Sequence, residues 1–145
     1  MDRRYELFGH AAARYDLHTP PHHYQHDHGF VLEEVCGLCP SPRVLDVGCG
    51  TGIFLERARA LGLDAVGLDA SPEMVAVAEK RLGPGAVRVQ RMQDLEEEDA
   101  YDALVSLSWS FHYCASTAEA WETLSRFLRA LRPGGLLLLQ TAHAA

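Results

Sequence analysis

Short apolar runs alternate with segments of helical periodicity along most of the chain. Five of these runs predict β-strands, at residues 44–47, 65–68, 86–90, 101–107 and 136–141. The first run carries no strict apolar–polar alternation, which is typical of a parallel strand that is covered on both faces. Strands that alternate with helices predict an α/β fold built on a mostly parallel sheet.

Helical segments lie before and between these strands. We predict helices at residues 22–38, 53–61 and 71–82, a fourth from Thr117 to the Pro-Gly-Gly turn at 133–135, and a short one at 4–14. That short helix would place Tyr5, Phe8 and Ala12 on one side. Ser71-Pro72 supplies a cap and a first helical position for the helix at 71–82, and Gly62 is a typical left-handed end for the helix before it.

Composition and charge narrow the class of protein. The chain has 145 residues, of which 48% are hydrophobic, and a formal net charge of −7. This length suits one domain. The basic residues are scattered rather than clustered, so we expect no nucleic-acid partner. No apolar run approaches the ~20 residues of a membrane helix, and residues 1–6 lack the apolar core of a signal peptide, so we expect a cytoplasmic protein.

A glycine-rich turn follows the first predicted strand. Gly48, Gly50 and Gly52 stand at alternate positions between that strand, which contains Asp46, and the helix at 53–61. Such a turn lets a ligand approach backbone N–H groups and a helix N-terminus without meeting a Cβ atom. The competing interpretation is a strand-to-helix turn that needs glycine only for its dihedral angles.

A carboxylate ends the second predicted strand. Asp69 lies 17 residues past Gly52, close to the interval of about 20 residues at which an acidic side chain meets a ribose in nucleotide-binding α/β folds. Because Ser71-Pro72 already starts the next helix, we expect Asp69 to be free to face a ligand rather than to act as a cap.

These residues carry a resemblance to a known superfamily. Val44-Leu45-Asp46-Val47-Gly48-Cys49-Gly50-Thr51-Gly52 resembles the first motif of the class I S-adenosylmethionine (SAM) dependent methyltransferases, and residues 67–74 resemble their second motif. Residues 93–95 resemble the third motif, and residues 131–136 resemble the turn into the fifth strand. The resemblance, closest to the small-molecule branch, covers about residues 30–142.

The resemblance implies a Rossmann-like, doubly wound sheet with helices on both faces, truncated after the fifth strand. It implies a cap or lid segment at residues 1–29 and a SAM-binding domain at 30–145, in one domain overall. The activity implied is methyl transfer from SAM to a nitrogen or oxygen of a small-molecule acceptor by in-line displacement, with S-adenosylhomocysteine as the product. The implied cofactor-binding residues are Asp46, Gly48, Cys49, Gly50, Gly52, Asp69, Ala70, Met74, Gln93, Asp94, Leu95 and Ser108.

The resemblance also implies specific roles for individual residues. Asp69 would hold the ribose and Asp94 the exocyclic amine of adenine, with Met92 or Leu95 covering the base. In the loop after the fourth strand, His112 is the candidate base or acceptor-orienting residue. Tyr15 is a second candidate, because the segment before the first motif lies over the SAM pocket in similar enzymes; a surface tyrosine is the alternative.

Histidines and cysteines leave further interpretations open. Five histidines lie between His18 and His28, and His22 and His26 would share a helix face that can hold a metal. No third ligand has matching spacing, so we assign no metal site and leave open an acceptor-pocket role or a surface position. Cys36 and Cys39 form a C-x-x-C that follows a helix rather than a strand, so packing or surface thiols are favoured over a redox pair.

Two rival functions remain at this point. The fifth predicted strand would leave a leucine-rich edge unpaired, which favours association through that edge. The chain would then be a non-catalytic or partner-dependent SAM-binding subunit, or a homo-oligomer. A nicotinamide-dependent Rossmann protein is disfavoured, because the spacing here is G-x-G-x-G rather than G-x-G-x-x-G.

Overall fold

The computed structural model describes residues 8–142. Within them, the helices and strands follow in chain order as α1 Tyr15–His18, α2 Gln25–Cys36, β1 Arg43–Val47, α3 Ile53–Ala60, β2 Asp64–Asp69, α4 Pro72–Leu82, β3 Val87–Val89, β4 Tyr101–Ser106, α5 Thr117–Ala130 and β5 Leu131–Leu139. Short 3₁₀ turns lie at Ala12–Arg14, Pro21–Tyr24, Met92–Asp94 and Ser110–Tyr113.

The strands form one parallel sheet in the order β3-β2-β1-β4-β5. The chain runs outward from β1 to β3 and then returns to the other side of β1 at β4. The strand order therefore reverses between β1 and β4, which is where open α/β sheets bind their ligands. The predicted doubly wound fold is confirmed.

Alternate residues of β1 enter two separate hydrophobic cores. Val44 packs with side chains of α2, α3 and α4 on one face, whereas Leu45 and Val47 pack with Phe127 of α5 on the other. All four residues Val44–Val47 are buried, as expected for a central strand covered on both sides. Helices thus cover both faces and hold β1 rigidly in place.

Several predicted boundaries need correction. Residues 12–14 form a 3₁₀ turn, so the predicted helix at 4–14 is wrong for its described part, and Tyr5 lies outside the described residues. The strand predicted at 136–141 begins at Leu131, which pairs with Tyr101. It then shifts register before Leu136 pairs with Ala103, because the Pro-Gly-Gly segment cannot continue the ladder.

Within residues 8–142 no helix has the length and apolar character needed to cross a membrane.

Candidate functional site

A cleft of about 580 Å³ opens at the carboxyl ends of β1, β2 and β4. Ten of the predicted site residues line it: Tyr15, Asp46, Gly48, Cys49, Gly50, Asp69, Ala70, Met74, Gln93 and Ser108. We call residues 46–51 together with Asp69 the floor of the cleft. Its volume falls within the range of small-molecule and cofactor sites.

The glycine turn is shaped by contacts that exclude larger residues. Gly48 has a φ of +74°, and a Cβ atom there would lie 2.6 Å from the Cβ of Ser110. Gly48 N and Cys49 N donate to the carbonyl of Leu68 at 2.8 and 3.0 Å. The turn is therefore fixed to β2 and pressed against the loop after β4, and its N–H groups at Gly48 and Cys49 are already used within the chain.

Gly52 has a structural role and does not line the cleft. It caps α3 with a φ of +84°, and a Cβ atom there would meet Leu82 at 3.0 Å and Ala78 at 3.2 Å. Glycine is required here because α3 and α4 pack closely at this point. Of the predicted cofactor-binding glycines, the structure therefore brings only Gly48 and Gly50 to the cleft.

Asp69 links the turn to the start of α4. Its Oδ2 accepts from Gly50 N at 2.9 Å and its Oδ1 from Ser71 N at 2.9 Å. Burial raises the pKa of Asp69, and the two backbone N–H groups oppose that rise. The expectation that Asp69 is unengaged is thus wrong, although each carboxylate oxygen keeps lone-pair capacity toward the cleft.

Asp46 is a buried carboxyl group with spare hydrogen-bonding capacity. Its side chain is 2% exposed, and its Oδ1 has no hydrogen-bond partner among residues 8–142. Burial, and then the neighbouring Asp69, raise the pKa of Asp46 from 3.8 to about 8. An unpaired buried polar atom costs free energy unless a ligand satisfies it, so this atom marks a place for a hydrogen-bond donor.

The segment after β3 enters the cleft only in part. Met92 and Gln93 line the cleft, but Asp94 is exposed and Leu95 is 1% exposed within the core beneath α5. A 3₁₀ turn rotates successive side chains by about 120°, so neighbours in sequence face different ways. The structure does not bring Asp94 and Leu95 to the cleft; Met92, the alternative cover for the base, is there.

Only some residues of the loop after β4 face the cleft. His112 is exposed and absent from the lining, and its Nε2 accepts from Ala142 N at 3.0 Å. Tyr113, the next residue of the 3₁₀ turn, faces the cleft with Ser108 and Ser110. The structure therefore does not bring His112 to the position expected of a base, because the turn directs it toward the end of the described chain.

Residues 8–28, which we call the roof, cover the cleft from the opposite side. Phe8, Tyr15 and Tyr24 line the cleft from the roof. Burial and a hydrogen bond with Tyr24 raise the pKa of Tyr15 to about 12, so its hydroxyl stays protonated near neutral pH and acts as a donor. The Phe8 ring stands edge-on to Tyr113 at 5.5 Å, which connects the roof to the loop after β4.

Three ties hold the roof to α3, to α4 and to the glycine turn. Ser71 Oγ donates to the carbonyl of Phe8 at 2.6 Å, and Arg57 donates to the carbonyl of Pro21 at 2.7 Å. Asp16 accepts from Thr51 Oγ1 at 2.7 Å and forms an ion pair with Arg81. Sequence reasoning missed these ties, and only the position of Asp16 beside Tyr15 hinted at them.

The histidines of the cluster differ in their exposure, and the two cysteines of the pair are free. Among residues 8–142 no group of three or more His, Cys, Asp or Glu side chains is arranged to hold a metal ion. His22 and His26 are exposed, whereas His28 is buried and lines the cleft. Cys36 and Cys39 are free thiols on the surface side of α2 and the following loop.

Comparisons with known proteins agree with this geometry. The model of a methyltransferase domain family matches residues 44–135. A dTDP-3-amino-3,4,6-trideoxy-alpha-D-glucopyranose N,N-dimethyltransferase of Streptomyces venezuelae is 33% identical over 97 residues, which are 67% of this chain and 41% of that protein. A ubiquinone biosynthesis O-methyltransferase of Xanthomonas oryzae pv. oryzae is 36% identical over 107 residues, 70% of this chain and 43% of that protein.

A solved structure shares the fold. The SAM-bound CalS10, an amino pentose methyltransferase of Micromonospora echinaspora, superposes with a TM-score of 0.78 at 27% identity, covering 89% of this chain and 56% of that chain. This chain therefore spans about two fifths of the length of the two curated relatives and little more than half of the solved structure.

Proposed function

The chain belongs to the methyltransferase domain family, and on that premise we propose that it transfers a methyl group from SAM to a nitrogen or oxygen atom of a small molecule. The observation that carries this proposal is the floor of the cleft. A buried carboxyl oxygen of Asp46 without a partner, a backbone-anchored carboxyl group of Asp69 and the glycine turn meet at the carboxyl ends of β1 and β2.

The residues present fit a sulfonium nucleoside with an amino acid tail. Asp46 has one oxygen without a partner, and a bound ammonium group would favour its charged, accepting form. Asp69 keeps lone pairs for ribose hydroxyls. Met92 and Gln93 offer an apolar cover and an amide for the base. When bound, SAM supplies an activated methyl group on sulfur, so the cofactor carries the difficult chemistry and the chain positions both partners.

The opposite end of the cleft supports a small-molecule acceptor. Phe8, Tyr15, Tyr24 and Tyr113 give it an aromatic wall with hydroxyl groups at intervals. The relatives named above act on an amino sugar and in ubiquinone biosynthesis, which supports nitrogen or oxygen acceptors of that size. The roof would then enclose the two reactants, so that alignment rather than a strong base lowers the barrier.

Tyr15 is proposed to orient the acceptor or the cofactor by a hydrogen bond from its hydroxyl group. Because the pKa of Tyr15 is raised to about 12, it is not suited to removing a proton near neutral pH. The division into a cap at residues 1–29 and a SAM-binding domain at 30–145, and a cytoplasmic location, stay predictions from the sequence.

The direct test is product formation with methyl-deuterated SAM and a panel of small amines, phenols and sugar hydroxyls, read by mass spectrometry. We expect at least one acceptor to gain the labelled methyl group. Asp69→Ala should abolish the transfer, whereas Asp64→Ala, at the exposed start of the same strand, should leave it unchanged. Transfer that survives Asp69→Ala unchanged would contradict the assigned site.

The fifth strand favours a second proposal, that the chain associates through its edge. In the described structure β5 pairs with β4 alone, and Leu136–Leu139 remain partly exposed. Light scattering tests this. A concentration-dependent dimer would support it, and a clean monomer with full transfer activity would contradict it.

A further inference from the structure

His28 is the one member of the histidine cluster, within the described residues, that is buried in the cleft wall. It is 5% exposed, on the inner face of α2. Tyr24 stacks on its ring at 5.3 Å with an interplanar angle of 10°, and Phe54 stands edge-on to it at 5.3 Å. The imidazole is therefore held in one orientation by aromatic rings on two sides.

Arg57 determines which ring nitrogen carries the proton. Its Nη1 lies 2.8 Å from His28 Nδ1, and its Nη2 donates to the carbonyl of Pro21 at 2.7 Å. A guanidinium group has only donors, so Nδ1 must present its lone pair and the ring proton must be on Nε2. Burial, and then the charge of Arg57, lower the pKa of His28 to about 4, so the ring is uncharged near neutral pH.

The Nε2–H group is available to a ligand. It has no hydrogen-bond partner among residues 8–142, and the ring that carries it lines the cleft. Arg57 places a permanent positive charge directly behind the ring, whereas the floor carries the carboxyl group of Asp69 and that of Asp46, which is mostly protonated near neutral pH. This corner therefore has an electrostatic environment that suits an anionic oxygen.

We infer that His28, oriented by Arg57, binds a carboxylate group in the cleft through its Nε2–H. The inference rests on the proposed function for the source of that carboxylate, which is either the amino acid tail of SAM or the acceptor molecule. It assigns His28 a binding role and Arg57 a positioning role. It also excludes His28 as a general base, because Nδ1, the ring nitrogen that carries the lone pair, already accepts a hydrogen bond from Arg57.

The first source, the amino acid tail of SAM, is tested by removing the carboxylate from the ligand and the imidazole from the protein. Calorimetry would compare S-adenosylhomocysteine with its decarboxylated analogue on the wild type, His28→Phe, His28→Gln and His26→Phe. We expect His28→Phe to weaken S-adenosylhomocysteine by at least about tenfold, the worth of one charge-assisted hydrogen bond, and to leave the analogue unchanged. His28→Gln, which keeps a donor, should recover part of the loss, and His26→Phe, at an exposed position, should match the wild type.

Benzoate tests the second source. It would be titrated into the protein with and without saturating S-adenosylhomocysteine. Binding of benzoate to the wild type that is lost in His28→Phe, with both adenosine ligands unaffected, assigns the carboxylate to the acceptor. If His28→Phe binds all three probes like the wild type, or weakens both adenosine ligands equally, the inference is overturned.

The tautomer gives a readout that does not depend on SAM. Long-range ¹H–¹⁵N NMR of the free protein should show the proton of His28 on Nε2, and Arg57→Met should shift the ring toward a mixture of tautomers and a higher pKa. A proton on Nδ1 in the wild type would overturn the inference whether or not the chain binds SAM. A wild type that binds neither adenosine ligand would instead contradict the proposed function.

Discussion

The floor and the roof of the cleft are held by different kinds of contact. In the floor, backbone groups carry the structure, because Gly48 N and Cys49 N donate to Leu68 O and Gly50 N donates to Asp69. In the roof, side chains carry it: Ser71 reaches Phe8, Arg57 reaches Pro21, and Asp16 joins Thr51 and Arg81. A single side-chain substitution can therefore release part of the roof, whereas in the floor only the contact of Gly50 with Asp69 depends on a side chain among these bonds.

The two regions also differ in the sequence distance that their contacts span. The glycine turn and its preceding strand are continuous in sequence, and Gly50 meets Asp69 across 19 positions. Roof contacts join residues 35, 63 and 65 positions apart. The floor also has a long-range contact, between Gly48 and Ser110, which are 62 positions apart, but its strand, turn and acidic residue lie close in sequence. The three ties of the roof are all long-range pairs.

The largest effect is expected from breaking the floor at Gly48. Gly48→Ala would combine a left-handed φ with a Cβ placed 2.6 Å from Ser110, and should lower the free energy of unfolding by about 3 kcal/mol. Gly62→Ala is the matched control, because its φ is +81° but nothing lies within 4 Å of the added Cβ; it should cost about 1 kcal/mol. Denaturant unfolding measures both, and equal losses would show that the Ser110 contact is unimportant.

Asp46 should give the floor a pH dependence of its own. Its pKa is about 8 in the folded chain and 3.8 ordinarily, so between these values the folded state holds a proton that the unfolded state has lost. The free energy of unfolding should therefore fall as pH rises from about 4 to 8, by up to about 1.4 kcal/mol per unit. Asp46→Asn should make this slope shallower, and an unchanged slope would contradict the assignment.

Breaking the roof at Asp16 should act on binding rather than on folding. Asp16→Asn weakens the ion pair with Arg81, and we expect about a tenfold loss of affinity for S-adenosylhomocysteine with a small change in unfolding. Glu56→Gln removes the other, more exposed carboxylate partner of Arg81 and should have little effect. If both variants bind equally well, the roof does not depend on this ion pair.

The smallest predicted effect is a difference between two serine residues that cap helices in the same way. Ser71 caps α4 by accepting from Met74 N, and Ser116 caps α5 by accepting from Glu119 N. Either change to alanine should cost about 1 kcal/mol of stability, but only Ser71→Ala also releases the roof at Phe8. Hydrogen exchange should report faster opening of residues 8–28 in Ser71→Ala alone; equal exchange in both variants would refute this coupling.

Sequence reasoning found the floor because its signal is local. A buried strand, alternate glycines and an acid ending the next strand are readable within residues 44–69, and the structure brings Asp46, Gly48, Gly50 and Asp69 together. The engagement of Asp69 with Gly50 N and Ser71 N was not readable, because it depends on how the turn folds back toward β2.

Sequence reasoning failed where the result depends on the direction in which a side chain points or on pairs of residues that are far apart in the sequence. Asp94 and His112 lie in 3₁₀ turns, where a shift of one residue turns a side chain away from the cleft. Their neighbours Gln93, which was predicted, and Tyr113, which was not, line the cleft. The pairing of Asp16 with Arg81 has no local signature, since it exists only once α4 packs beside the glycine turn. The early start of β5 at Leu131 likewise depends on its pairing with Tyr101.

Calorimetric titration of the chain with S-adenosylhomocysteine tests the central claim, that the floor holds a sulfonium nucleoside, most directly. We expect one site per chain, with binding reduced by about a hundredfold or more in Asp69→Ala and unchanged in Asp64→Ala. Heat of binding that is absent from the wild type, or equal in the wild type and Asp69→Ala, would contradict the account.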